Sequence, residues 1–96
     1  MPNVVLTERA ENDLETIFEY YQGILGANPA FGIVNSILGA FDQLKQFPGS
    51  GRPSVVPDIR ELVLTRYPFI APYRLEDGQI QVLRILHQRA EQPENW

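Results

Sequence analysis

Apolar residues recur at steps of three and four through Ala10, Leu14, Ile17, Phe18, Tyr21, Ile24 and Leu25, with Glu11, Glu15 and Glu19 on the opposite side. That spacing predicts an amphipathic helix. Thr7 stands where an N-cap belongs, Glu8 and Glu11 fall in or near the first turn where negative charge favours the helix dipole, and Gly26 permits a stop. A second stripe, Ile33, Val34, Ile37, Leu38, Phe41, Leu44 and Phe47, predicts a second helix. Asn28-Pro29 supplies its start, an N-cap followed by proline at the first helical position. Gly32 and Gly39 lie within it at a cost of about 1 kcal/mol each in propensity, and would let another backbone come close. So few residues separate the two helices that they should form an antiparallel hairpin.

The period then changes. Before the helices, Asn3-Val4-Val5-Leu6 is short and β-prone. After them, Pro48-Gly49-Ser50-Gly51 ends the second helix and opens a loop that runs through Arg52-Pro53 to Pro57-Asp58. Residues 59–65 begin a β region in which Leu62, Val63 and Leu64 do not alternate, as in a strand partly covered on both faces. Two further β-prone runs, Tyr67 to Leu75 and Gln79 to His87, are joined by Glu76-Asp77-Gly78, and Asp-Gly supplies the positive φ values of a tight hairpin. Pro72 interrupts the middle strand and removes a ladder donor, which predicts either a bulge or a donor position facing away from the ladder. The resulting order is β-α-α-β-β-β, an α+β fold with a helical hairpin packed on one face of a small, mainly antiparallel sheet. The polar tail 89–96 is expected to be loosely ordered unless Trp96 docks.

Composition narrows the classes. Ninety-six residues support one core, so 1–96 reads as a single domain. A hydrophobic share of 44% and a charged share of 21% are those of a globular protein, and no stretch is long and apolar enough for a membrane span. The start carries no basic and apolar leader pattern, and with no cysteine the chain fits a cytoplasmic location. The net charge of −4 argues against general nucleic-acid binding. Its distribution is uneven: residues 1–50 hold Arg9 and Lys45 against six acids, whereas residues 51–96 hold six arginines against six acids. One face can therefore be locally positive.

His87, the only histidine, ends the last β run and offers either a general acid or base or a backbone-bonded residue at a strand end. One histidine and no cysteine are too few soft ligands for a metal site. Arg84 shares strand parity with Ile80, Val82 and Leu86, so that face should be open to solvent or cover a partner. Its charge calls either for an ion pair with Glu61 or another acid or for a binding role. Arg60 and Arg74 pose the same choice, while Arg52 and Arg66 lie in or beside loops. Tyr67, Phe69 and Tyr73 also share a parity, and a sheet that must pack against helices makes them core rather than a base-stacking platform.

With the elements in this order, the chain resembles the ParE/RelE superfamily of toxins from bacterial type II toxin–antitoxin systems over nearly its whole length. Leu6-Thr7 through Ala10 and Asp13-Leu14-Ile17 are similar to the family's opening strand and helix, and Leu44 through Phe47-Pro48 with Gly51-Arg52 to its helix end and following loop. Arg60-Glu61-Leu62, Tyr67-Pro68-Phe69-Ile70, Tyr73-Arg74 and Ile80 through Arg89 resemble its closing meander. The resemblance implies a toxin, of the kind linked to plasmid stabilisation, held inactive by a cognate antitoxin of ParD or similar type. That antitoxin's C-terminal segment would wrap exposed apolar surface as a helix and strand.

The superfamily divides by target. RelE-like members cut mRNA on the ribosome with basic side chains and an acid–base or aromatic residue near the C-terminus; here Arg60, Arg84, His87 and Arg89 would be the parts. ParE-like members keep the fold and are known for inhibiting DNA gyrase. RelE-like nucleases usually carry a basic residue on the middle strand, where this chain reads Phe69-Ile70-Ala71-Pro72, and lysines on the preceding strand, whereas the only lysine here is Lys45. No tyrosine follows His87. The chain therefore resembles the ParE side more closely, which implies gyrase inhibition by protein binding without a cofactor, through some of Arg60, Arg74, Arg84, His87 and Arg89. The alternatives are a ribosome-dependent mRNA endonuclease and a non-toxic relic that binds only antitoxin.

Overall fold

The structure is a computed structural model that describes residues 3–88. Strand β1 (Asn3–Leu6) leads into helix α1 (Glu8–Leu25), helix α2 (Ala27–Gln46) and strands β2 (Arg52–Pro53), β3 (Arg60–Val63), β4 (Phe69–Glu76), β5 (Gln79–Val82) and β6 (Leu86–His87). Across the sheet the order is β1-β5-β4-β3-β2, with β6 also on β4. Strands β2 to β6 pair antiparallel, while β1 pairs parallel with β5 after the helical hairpin carries the chain over one face. The two helices bury Ala10, Ile17, Ile33, Ile37, Phe41 and Leu44 against Leu62, Phe69, Ala71, Tyr73, Ile80 and Val82 of that face. At roughly 1.5–3 kcal/mol for each large apolar side chain buried, this contact outweighs any single polar term in the molecule.

Several boundaries follow local chemistry. Thr7 caps α1 by accepting from the Ala10 amide at 3.1 Å. The β4–β5 turn places Asp77 at φ 52° and Gly78 at φ 75°, the pair of positive values a two-residue hairpin turn requires. The start of α2 departs from expectation. One residue, Gly26 at φ 90°, both ends α1 through a bond from its amide to the Gln22 carbonyl and begins α2, so Asn28 lies inside the helix instead of capping it. Gly32 and Gly39 face open space within the chain and bring no backbone close.

Two strands were not legible. β2 lies in what reads as loop, its two residues paired with Arg60 and Glu61 at the sheet edge, where Pro53 is tolerated. The last β run is not continuous. Tyr73 pairs with Val82 and Ile70 with Leu86, so residues 83–85 oppose only Ala71 and Pro72: one extra residue, a bulge. The Pro72 carbonyl accepts from the Leu83 amide at 2.8 Å, so the side of Pro72 that lacks an N–H faces this bulge. Of the two outcomes open for Pro72, the bulge is the one realised, and it forms in the neighbouring strand.

Candidate functional site

The bulge decides the fate of Arg84. One extra residue reverses the alternation, so Ile85 continues the buried set of Ile80 and Val82 while Arg84 turns towards α1. There its Nε and Nη2 donate to the two carboxylate oxygens of Asp13 at 2.7 and 3.0 Å, in a paired geometry of high specificity. Asp13 Oδ2 also accepts from the Ile85 amide at 3.0 Å. That hydrogen bonding to Asp13 raises the arginine's pKa above its ordinary value, against a smaller opposing effect of burial, and the charge of Asp13 adds to the rise. Thr7 completes the junction: its hydroxyl donates to the Leu83 carbonyl at 2.8 Å and its amide to the Val82 carbonyl at 3.0 Å. Of the two roles open for Arg84, the structure shows the ion pair, with Asp13 as the other acid in place of Glu61, and Arg84 leaves the face its parity assigned. A carboxylate among Ala10, Leu14 and Ile17 was the signal in the sequence that could have found it.

Glu61 has another partner. It is buried opposite Pro72 and accepts from Arg52 Nε at 2.9 Å, so Arg52, expected in or beside a loop, holds the β2–β3 edge together. Arg74 donates from Nε to Gln81 at 2.8 Å and pairs with Glu76 at 2.9 Å. His87 is exposed, opposite Phe69 and edge-on to its ring at a centroid separation of 6.0 Å. Arg89 and Trp96 lie outside the described residues.

Arg60 sits across from Tyr73 at the start of β3 and donates from Nη1 to the Gly51 carbonyl at 2.8 Å. Beside it, the buried Tyr73 hydroxyl donates to the Pro48 carbonyl at 2.7 Å and accepts from the Gly51 amide at 2.9 Å. Gly51 is required here, since a Cβ would stand 2.6 Å from the Tyr73 ring and 2.9 Å from the Glu61 carbonyl oxygen. Next to this clamp opens a groove of about 700 Å³, lined by residues of the 53–60 segment and of β4. A second groove of about 340 Å³ runs between α2, at Ser36, Gly39 and Ala40, and Leu62 to Tyr67.

Among the described residues, the nuclease candidates Arg60, Arg84 and His87 do not gather at one point. Arg60 opposes Tyr73 on one flank of β4 and His87 opposes Phe69 on the other. Four residues along β4 is roughly 13 Å, and two strand spacings across is roughly 10 Å. Arg84 is engaged by Asp13. Among the described residues no group of three or more His, Asp or Glu could hold a metal ion, and no helix is long and apolar enough to cross a membrane. The arrangement offers recognition surfaces: two grooves, and exposed apolar side chains Tyr20, Ile24, Leu25, Phe31 and Leu38 on the helical hairpin.

Comparison with known proteins adds four findings. The family described as ParE toxin of type II toxin-antitoxin system, parDE, matches residues 4–91. A chain of the chromosomal ParDE toxin–antitoxin system from P. aeruginosa is similar at 38% identity and a TM-score of 0.84, over 91% of this chain and 96% of that one. The candidate toxin Y4kP of Sinorhizobium fredii is 37% identical over 62 residues, 65% of this chain and 64% of that relative's length. The isolated RelE toxin of E. coli shares the fold, with a TM-score of 0.65 at 15% identity over 98% of this chain and 89% of that one.

Proposed function

Because the chain belongs to the ParE toxin family of type II toxin–antitoxin systems, we propose that it acts by binding a protein, DNA gyrase, and that a cognate antitoxin neutralises it. The observation that carries the protein-binding part is the state of the arginines. Arg84 is neutralised by Asp13, Arg74 is paired with Glu76, and Arg60 stands on the flank of β4 away from His87, so among the described residues these three arginines are not gathered with His87 around one point. Among the described residues, the parts of the ribonuclease alternative are dispersed, which supports the protein-binding reading.

The antitoxin has suitable surface. Tyr20, Ile24, Phe31 and Leu38 form exposed apolar positions along the helical hairpin, suited to an amphipathic segment. Strand addition has a place too: the Leu64 amide bonds to Phe69 on β4, so by alternation the polar backbone groups of Val63 point outward, beyond the two residues that β2 covers. In the test, purified toxin is added to gyrase in a supercoiling assay. Inhibition, or accumulation of cleaved DNA, is expected, with relief on adding the antitoxin. Full supercoiling at a large molar excess of toxin sinks the gyrase assignment, and harmless expression without antitoxin would point to the relic.

A further inference from the structure

The groove beside Arg60 is built before any partner arrives. Its wall is a loop closed on itself: Ser54 Oγ donates to the Val56 carbonyl at 2.9 Å and accepts from the Val56 amide at 3.0 Å. The Ser54 amide reaches the Ile59 carbonyl at 3.0 Å, and Pro53 and Pro57 restrict the backbone on either side. A wall of this kind loses little conformational freedom when it is occupied. The loop holds Val55 out at 96% exposure, and Leu75, which lines the groove, is 60% exposed.

Arg60 differs from Arg52, Arg74 and Arg84. Its guanidinium is fixed by the Gly51 carbonyl, and among the described residues no carboxylate lies within ion-pair distance of it. The cation is therefore positioned but not neutralised. Asp58 and Glu76 line the same groove, the latter already spent on Arg74. A polyanion laid along the groove would meet these carboxylates with one unspent cation to offset them, whereas a single carboxylate can reach Arg60 alone.

We propose that this groove takes an extended segment of a protein partner that presents one carboxylate to Arg60 and apolar side chains to Leu75, Pro53 and Pro57. The proposal rests on the protein-binding reading above and locates the surface that does the binding. The groove would be distinct from the helical-hairpin surface assigned to the antitoxin.

The test does not use gyrase, so the two readings fail separately. The full chain, labelled with ¹⁵N, is titrated with the capped peptide acetyl-Leu-Pro-Glu-Leu-amide and with its glutamine counterpart. The acidic peptide should shift amides of residues 54–60 and 73–76 and bind roughly ten-fold more tightly than the neutral one, as a charge-assisted hydrogen bond requires. Arg60→Gln should bring the two affinities together, Arg60→Lys should keep a preference for the acidic peptide, and Leu75→Ser should weaken both by a similar factor. Should Arg60→Gln not fold, the wild-type preference and Leu75→Ser still decide. Equal affinities for the wild-type chain, shifts confined to other residues, or a stronger response of the same amides to oligothymidylate would each overturn the proposal.

Discussion

Arg84 and Arg60 are both arginines at the edge of an apolar sheet, and their surroundings give them opposite tasks. Around Arg84 the polar partners come from α1 and its cap: Asp13 takes the guanidinium and the Ile85 amide, and Thr7 takes the Leu83 carbonyl. Around Arg60 the polar groups answer one another through backbone carbonyls, with Tyr73 bridging Pro48 and Gly51 while Arg60 touches the Gly51 carbonyl. A carboxylate cancels a charge, whereas a carbonyl holds it in place and leaves most of it available. The first region is built for stability and the second leaves a charge for a partner. An arginine's role is thus set by the group it meets rather than by its exposure.

The largest expected effect comes from breaking the second region at its tightest point. Gly51→Ala puts a Cβ within 2.6 Å of a Tyr73 ring that is itself 2% exposed and cannot retreat. Overpacking together with loss of the clamp should lower stability by about 3 kcal/mol in urea unfolding. Next comes Asp13→Ala, which strands an arginine whose side chain is only 19% exposed. Stranding a fully buried charge costs about 3–5 kcal/mol, so about 2 kcal/mol is expected here, and adding Arg84→Met should recover most of it. Among the described residues no hydrogen bond joins Thr7, Asp13 or Arg84 to Gly51, Arg60 or Tyr73, and the Gly51→Ala/Asp13→Ala double variant should therefore be additive within about 0.5 kcal/mol. A larger coupling would show the regions to be one unit.

The contrast between these regions also marks what could be read from the residues alone. Local chemistry was legible: the Thr7 cap, the Asp77-Gly78 turn, the two helical stripes and the aromatic parity of Phe69 and Tyr73 all depend on neighbours within a few positions. The parts that were not legible depend on register. A bulge adds a single residue and leaves no mark in composition, yet it moved Arg84 off the face its parity assigned and made Asp13, 71 residues away in sequence, its partner. β2 escaped for a similar reason, since a two-residue strand containing Pro53 exists only because β3 lies beside it. Gly26 serves both helices at once, and an Asn-Pro pair two residues on is an equally good local start signal that the packing does not use. The groove at Arg60 is a further step removed, because it depends on the approach of Gly51 to Tyr73 across 22 residues.

The smallest effect is the most discriminating. Thr7 accepts from the Ala10 amide and donates to the Leu83 carbonyl, so its hydroxyl joins the start of α1 to the bulge. Thr7→Val keeps the branched shape but removes both bonds, at an expected cost of about 1–2 kcal/mol, while Thr7→Ser keeps the hydroxyl and should cost less than half as much. Because the bulge depends on α1 for its polar partners, Thr7→Val should also speed amide hydrogen exchange at Ala10 and at Ile85, which bonds to Asp13 one turn along the same helix. The Gly51 amide, held by Tyr73, belongs to the other region and should keep its protection beyond any uniform change set by global stability. Equal local loss of protection at Gly51 would mean that the junction at Arg84 also supports the groove at Arg60, and the division of labour between the two arginines would no longer hold.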